Sequence, residues 1–173
     1  MKKVILTALV CSAMSTSVLA ANMGHGKVTF KGSIITAPCS ISPDSIDQTI
    51  ELGQVADSAL AGGGKSTPRT FDVSLENCKA ATLTKGVQLT FSGSAAAFDE
   101  TNKTLGIVGT ASGAGVQITN GSGEVITLGK ASPFQLIQEG NNTLRFGAYL
   151  IGDADKATVG EFSSIADFTL NYE

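Results

Sequence analysis

GHGKVTFKG, residues 24–32, is the stretch on which the reading of the fold turns. Its even positions, Gly24, Gly26, Val28, Phe30 and Gly32, are apolar or glycine; its odd positions, His25, Lys27, Thr29 and Lys31, are polar. A period of two belongs to an extended strand with one buried face. Three of the five inward positions have no side chain, so against a core of its own this strand would leave much of its groove unfilled. The alternation raises a question of partner: which groove is the strand shaped to fill?

Upstream, MKKVILTALVCSAMSTSVLA (1–20) has a basic start at Lys2 and Lys3, an apolar stretch from Val4 to Val10 and a small-residue end. This reads as a secretory signal peptide cleaved after Ala20, because its apolar part is shorter than the ~20 residues a membrane span needs. The remaining 173 − 20 = 153 residues suit one domain with a core. The chain is accordingly divided into a signal peptide (1–20), an N-terminal extension (21–33) and a single domain (34–173). Export removes Cys11 and leaves Cys39 and Cys78 as an even pair in an oxidising compartment, where a disulfide is expected. The chain's one histidine is His25 and no CxxC spacing exists, so no metal site is expected. Without Lys2 and Lys3 the 12 basic residues become 10 against 15 acidic ones, and no basic stripe is left for nucleic acid.

Downstream the pattern is one of short strands. Residues 71–75 alternate before Asn77 and Cys78, and Val87, Leu89 and Phe91 alternate before Gly93. Val116 and Ile118 lead into Thr-Asn-Gly-Ser-Gly, a hairpin signal, followed by Val125, Ile126 and Leu128. Leu144, Phe146 and Ala148 alternate, as do Ala166, Phe168, Leu170 and Tyr172. Gln48 to Ala61 is the best candidate for a short helical piece. Twenty glycines and regular turn signals complete the picture of an all-β sandwich.

Catalytic chemistry finds no support. Gly62-Gly63-Gly64-Lys65-Ser66 has the end of a phosphate-binding loop, but Ala59 stands where its first glycine belongs. Gly113-Ala114-Gly115 lacks the third glycine of a dinucleotide fingerprint and reads as a turn feeding a strand. His25 sits in the terminal strand with no nucleophile motif anywhere. Asp44/Asp47 and Asp153/Asp155 read as solvated loop pairs. No catalytic residue, cofactor or small-molecule cofactor site is assigned.

From Gly26 to Glu173 the chain resembles the chaperone–usher fimbrial subunits, most closely the major pilins of P-type and type 1 fimbriae. The resemblance is carried by GKVTFKGSIITAPCSI (26–41), FDVSLENC (71–78), GAGVQI (113–118), GNNTLRFGAYL (140–150) and GEFSSIADFTLNY (160–172). The last shows the C-terminal pattern in full, with Gly160 fourteenth from the end and Tyr172 penultimate.

The resemblance implies an incomplete immunoglobulin-like sandwich lacking its last strand, with an N-terminal donor-strand extension. Val28 and Phe30 would enter deep pockets of a neighbour's groove, Gly26 its narrow part, and Gly32 would lie nearest the donor's own domain. Gly24 would sit near the end where exchange begins. The acceptor groove and chaperone contact would comprise Gly160, Ala166, Phe168, Leu170, Tyr172 and Glu173, with apolar partners from 144–150. Implied partners are neighbouring pilin subunits, a periplasmic chaperone that lends its own strand and holds the carboxylate of Glu173, and an outer-membrane usher. The expected function is the major structural subunit of a surface fimbria for adhesion. A minor shaft, adaptor or terminator pilin is the first alternative. A secreted ligand-binding β-sandwich is the second, weakened by the absence of Trp and the presence of only two Tyr.

Overall fold

The computed structural model describes residues 26–154 and 156–173, so the signal peptide expected at 1–20, Gly24, His25 and Asp155 lie outside the described residues. The chain divides into a unit Met1–Ile35 and a unit Thr36–Glu173. In the first, residues 26–35 form neither helix nor strand, and Val28, Phe30, Ile34 and Ile35 are exposed.

The second unit is built from the strands β1 (Ser40–Ile41), β2 (Arg69–Cys78), β3 (Val87–Ser92), β4 (Thr104–Gly106), β5 (Val108–Gly109), β6 (Ala114–Asn120), β7 (Gly140–Gly152), β8 (Phe162–Ser163) and β9 (Asp167–Tyr172). All their pairings are antiparallel. One sheet runs β1-β2-β7-β6-β4; β3 pairs with β9, and β5 with β8. The alternation read from the sequence sets the inward faces: Val73 and Leu75 of β2, and Val87, Leu89 and Phe91 of β3, are all buried. Within the β2–β7 pair Phe146 stacks on its register partner Phe71 at 5.7 Å, and across the layers it meets Phe91 edge-on at 5.1 Å. Each such pair adds about 0.5–1.5 kcal/mol beyond the area it buries. The disulfide Cys39–Cys78 is present, buried, and ties the chain just before β1 to the end of β2.

Strand β6 is buried on both faces from Ala114 to Thr119. Val116 and Ile118 belong to the apolar core, whereas Gln117 alternates with them. Tyr149 Oη donates to Gln117 Oε1 at 2.7 Å, and Gln117 Nε2 donates to Thr104 Oγ1 at 2.9 Å. This chain meets the rule that a buried polar group must keep its hydrogen bonds. No described buried side-chain nitrogen or oxygen lacks a partner.

Two expectations need correction. The short helical piece expected within Gln48–Ala61 is confined to its end: two four-residue helices, α1 (Pro43–Ile46) and α2 (Asp57–Leu60), stand on either side of a helix-free run at 47–56. There Gln48, Ile50 and Leu52 are half-buried while Thr49, Glu51 and Gly53 are exposed, the period of an extended chain. Nor does Val125–Leu128 form the second strand of a hairpin. The turn itself closes, with Gly123 N donating to Asn120 O at 3.0 Å, but only Thr119 and Val125 bridge. Beyond Ile126 the backbone turns to other acceptors: Leu128 N donates to Asn102 O and Gly129 N to Phe91 O. The chain then lies beside β3, with bridges Thr90–Ala131 and Val87–Gln135.

Candidate functional site: an open groove beside the last strand

Strand β9 alternates cleanly: Phe168, Leu170 and Tyr172 are half-buried, while Asp167, Thr169 and Asn171 are exposed. Its register sets Phe168 against Phe91, Leu170 against Leu89 and Tyr172 against Val87. The three β3 partners are buried, yet their β9 counterparts are not. Among the described residues β9 pairs with β3 alone, so its other edge carries backbone donors and acceptors with no strand beside them.

Alongside lies a groove of 1010 Å³. Phe71, Val73, Phe91, Leu105, Val116 and Leu150 line its apolar floor. One wall is the extended run 47–55, and the other is formed by residues 157–168. An apolar slot bordered by an unpaired strand edge is suited to an extended peptide, whose backbone pairs with the edge while alternate side chains enter the slot. The groove also has a sign. Asp47, Glu51, Asp57, Glu161 and Asp167 line it, and no Lys or Arg does.

Of the residues expected on the acceptor side, Gly160, Ala166 and Phe168 line this groove. Leu170 and Tyr172 continue the same face of β9 and pack partly against the core. Burial pushes the Tyr172 hydroxyl pKa above its ordinary value. Glu173 closes the strand end: its main-chain oxygen accepts from Lys85 N at 2.7 Å and Gly86 N at 2.9 Å, and its side chain pairs with Lys85. Within the run 144–150, Ala148 and Leu150 line the groove, whereas Leu144 and Phe146 are buried in the core. Gly160 has φ +155, and a Cβ there would lie 2.5 Å from Ala111 N. Its glycine lets the last segment pass close to Thr110 and Ala111, whose amides donate to Glu161 O at 2.9 and 3.0 Å. On the donor side Gly26, Val28, Phe30 and Gly32 stand in the segment without secondary structure, and Gly24 lies outside the described residues.

Sequence reasoning missed the wall at 47–55. Its signal was present in Gln48-Thr49-Ile50-Glu51-Leu52, an alternation hidden by reading the run as helical. Among the described residues no group of three or more His, Cys, Asp or Glu is placed to hold a metal ion.

Fold and groove together define an all-β, immunoglobulin-like sandwich that is one strand short. Residues 28–173 match the fimbrial protein family, and the chain belongs to that family. It is similar to the Fimbria A protein of Serratia marcescens, with 51% identity over 100% of this chain and 99% of the relative. To the major MR/P fimbria protein of Proteus mirabilis strain HI4320 it is 48% identical, over 99% of this chain and 98% of the relative. Among solved structures it is similar to a chaperone–usher pilus, with 32% identity and a TM-score of 0.76 over 87% of this chain and 97% of the other. The chain is thus a fimbrial subunit of the chaperone–usher class, a structural protein and not an enzyme.

Proposed function

We propose that this chain is the major structural subunit of a surface fimbria and that it polymerises by lending residues 24–32 to the groove of the next copy. The observation that carries the reading is the apolar groove whose one border is the unpaired edge of β9. Strand addition to such an edge is an established mode of recognition, pilin donor-strand complementation being one instance. Residues 24–32 extend over roughly 30 Å at about 3.3 Å per residue, enough to run the length of a small sandwich. Val28 and Phe30 fill the deep part of the slot, Gly26 crosses its narrow part, and Gly32 lies nearest the donor's own domain. Donor segment and acceptor groove are different patches, so the contact is head-to-tail and does not close on itself, which makes a filament.

Before assembly the open groove is an aggregation hazard. A periplasmic chaperone covers it with a strand of its own and holds the carboxylate of Glu173, and an outer-membrane usher exchanges that strand for the next subunit's donor. The filament stands on the cell surface and serves adhesion. The test is to append residues 24–32 after Glu173 through a flexible linker. The fused chain is expected to be a soluble, cooperatively folding monomer, and the unfused chain, expressed without a chaperone, to aggregate or be degraded. A soluble, stable, unfused monomer would overturn the reading.

A further inference from the structure

The donor segment has a second face. Its inward side chains account for the groove's apolar floor, but its outward positions, His25, Lys27, Thr29 and Lys31, include two lysines and no acid, in a chain whose net charge is −3. The groove's borders have the opposite character: their charged lining residues are all carboxylates. These lie on the outer side of the walls. Asp47 and Glu51 are exposed, alternating with half-buried Gln48, Ile50 and Leu52, while Asp167 is exposed between half-buried Ala166 and Phe168, and Glu161 is exposed beside half-buried Phe162. The ion pairs among the described residues, Lys85–Glu173, Arg145–Asp72 and Lys156–Asp153, involve none of the four. The Arg69 guanidinium approaches the first wall at Gly53, beyond Glu51.

Resting on the donor-strand reading above, we infer that Lys27 and Lys31 of one copy engage the carboxylates on the groove walls of the next, so that charge as well as shape selects the incoming strand and speeds its capture. A strand laid between the two walls with its apolar side chains down must turn Lys27 and Lys31 up, onto the face where those carboxylates stand. The spacing agrees: Lys27 and Lys31 are four residues apart, as are Asp47 and Glu51. Both separations are about 13 Å in extended chain. Opposite charges that are cross-strand neighbours on one face attract, and like charges repel. A groove lined by one sign of charge also raises the capture rate of an oppositely charged segment, by roughly 10- to 1000-fold at low salt in favourable cases. Two copies of an acidic protein otherwise repel, so a basic donor segment also orients their encounter.

The experiment uses the purified complex of this subunit with its chaperone and synthetic peptides of residues 24–32, following displacement of the chaperone by native electrophoresis. The wild-type peptide is expected to insert about tenfold more slowly when salt is raised from low to about 0.5 M, where charges are screened within a few ångströms. A peptide with Lys27→Gln and Lys31→Gln is expected to insert at that slow rate in both conditions. The subunit carrying Asp47→Asn and Glu51→Gln should lose the same advantage with the wild-type peptide. A Lys27→Glu, Lys31→Glu peptide should regain speed on a subunit carrying Asp47→Lys and Glu51→Lys. Equal, salt-independent rates for the wild-type and Gln peptides would overturn this inference and leave donor-strand exchange standing. Failure of every peptide to displace the chaperone would overturn both.

Discussion

Phe91 and Phe168 are register partners in the β3–β9 pair, their ring centroids 6.2 Å apart, yet Phe91 is 2% exposed and Phe168 only half-buried. Two like rings in one pair differ because their strands differ in company. β3 has β9 on one side and bridges to residues 131–135 on the other, whereas β9 has β3 alone among the described residues. The apolar surface left on Phe168 is what an added strand would cover.

That difference makes Phe168 a reporter of groove filling. In the fused protein with residues 24–32 appended, Phe168→Ala should lower the unfolding free energy by about 3 kcal/mol, as for a core phenylalanine. Urea denaturation measures it. A loss below about 1 kcal/mol, the scale of a surface change, would mean that the appended segment does not pack over the ring.

Gly26 should be intolerant of bulk for a reason outside its own subunit. With residues 24–32 as the donor strand, Gly26→Leu would force packed atoms of the neighbour's groove apart, an overpacking cost of ~1–3 kcal/mol that would fall on the contact between subunits. The variant should bind its chaperone normally and yield few or no fibres. Lys27→Gln, which leaves the inward face unchanged and removes one charge, should slow capture yet still give fibres over the hours of growth in culture. Chaperone complexes isolated from cells and fibre counts by electron microscopy test both; normal fibres from Gly26→Leu would reject the assignment of its face.

The Cys39–Cys78 bridge closes a loop with a sequence separation of 39. On the chain-entropy account this constrains the unfolded state by roughly 4 kcal/mol. Mass mapping without reductant should recover the linked peptides, and reduction should shift the urea midpoint of the fused protein sharply downward. Two free thiols in the mature protein would contradict the structure.

Asp99 should make stability depend on acid. Burial alone would raise its pKa, but the Thr101 and Thr104 hydroxyls and the Thr101 and Lys103 amides hold it at about 2, below the ordinary 3.8. The two amides donate to it at 2.8 and 2.9 Å. The folded pKa lies below the unfolded one, so the contribution is complete above pH ~4 and is lost as pH falls toward ~2. Because the carboxylate is largely solvated, its worth is about 1 kcal/mol after discounting for screening. Asp99→Asn should lose this at pH 7 and show a flatter pH profile between about 4 and 2. Urea midpoints of the fused protein across that range decide it; identical profiles would remove Asp99 as the cause.

Periodicity made much of the molecule legible. The alternations at 71–75, 87–91, 144–148 and 166–172 mark β2, β3, β7 and β9 and their inward residues, because side chains on successive strand residues point to opposite faces whatever the strand pairs with. Cysteine number and the signal-like pattern of residues 1–20 sufficed to expect the Cys39–Cys78 bridge. Tertiary structure decided what pairs with what. The run 47–55 became a wall and not a helix because long-range packing, which no window of sequence contains, lays Ile50 and Leu52 against the groove. β6 is buried on both faces because Thr104 and Tyr149, distant in sequence, arrive to satisfy Gln117. The groove itself follows from an edge of β9 that no described strand occupies. A strand's sequence records which side chains point inward, but the strands that flank it, and so the edge left open, are set by hydrogen bonds to segments far along the chain.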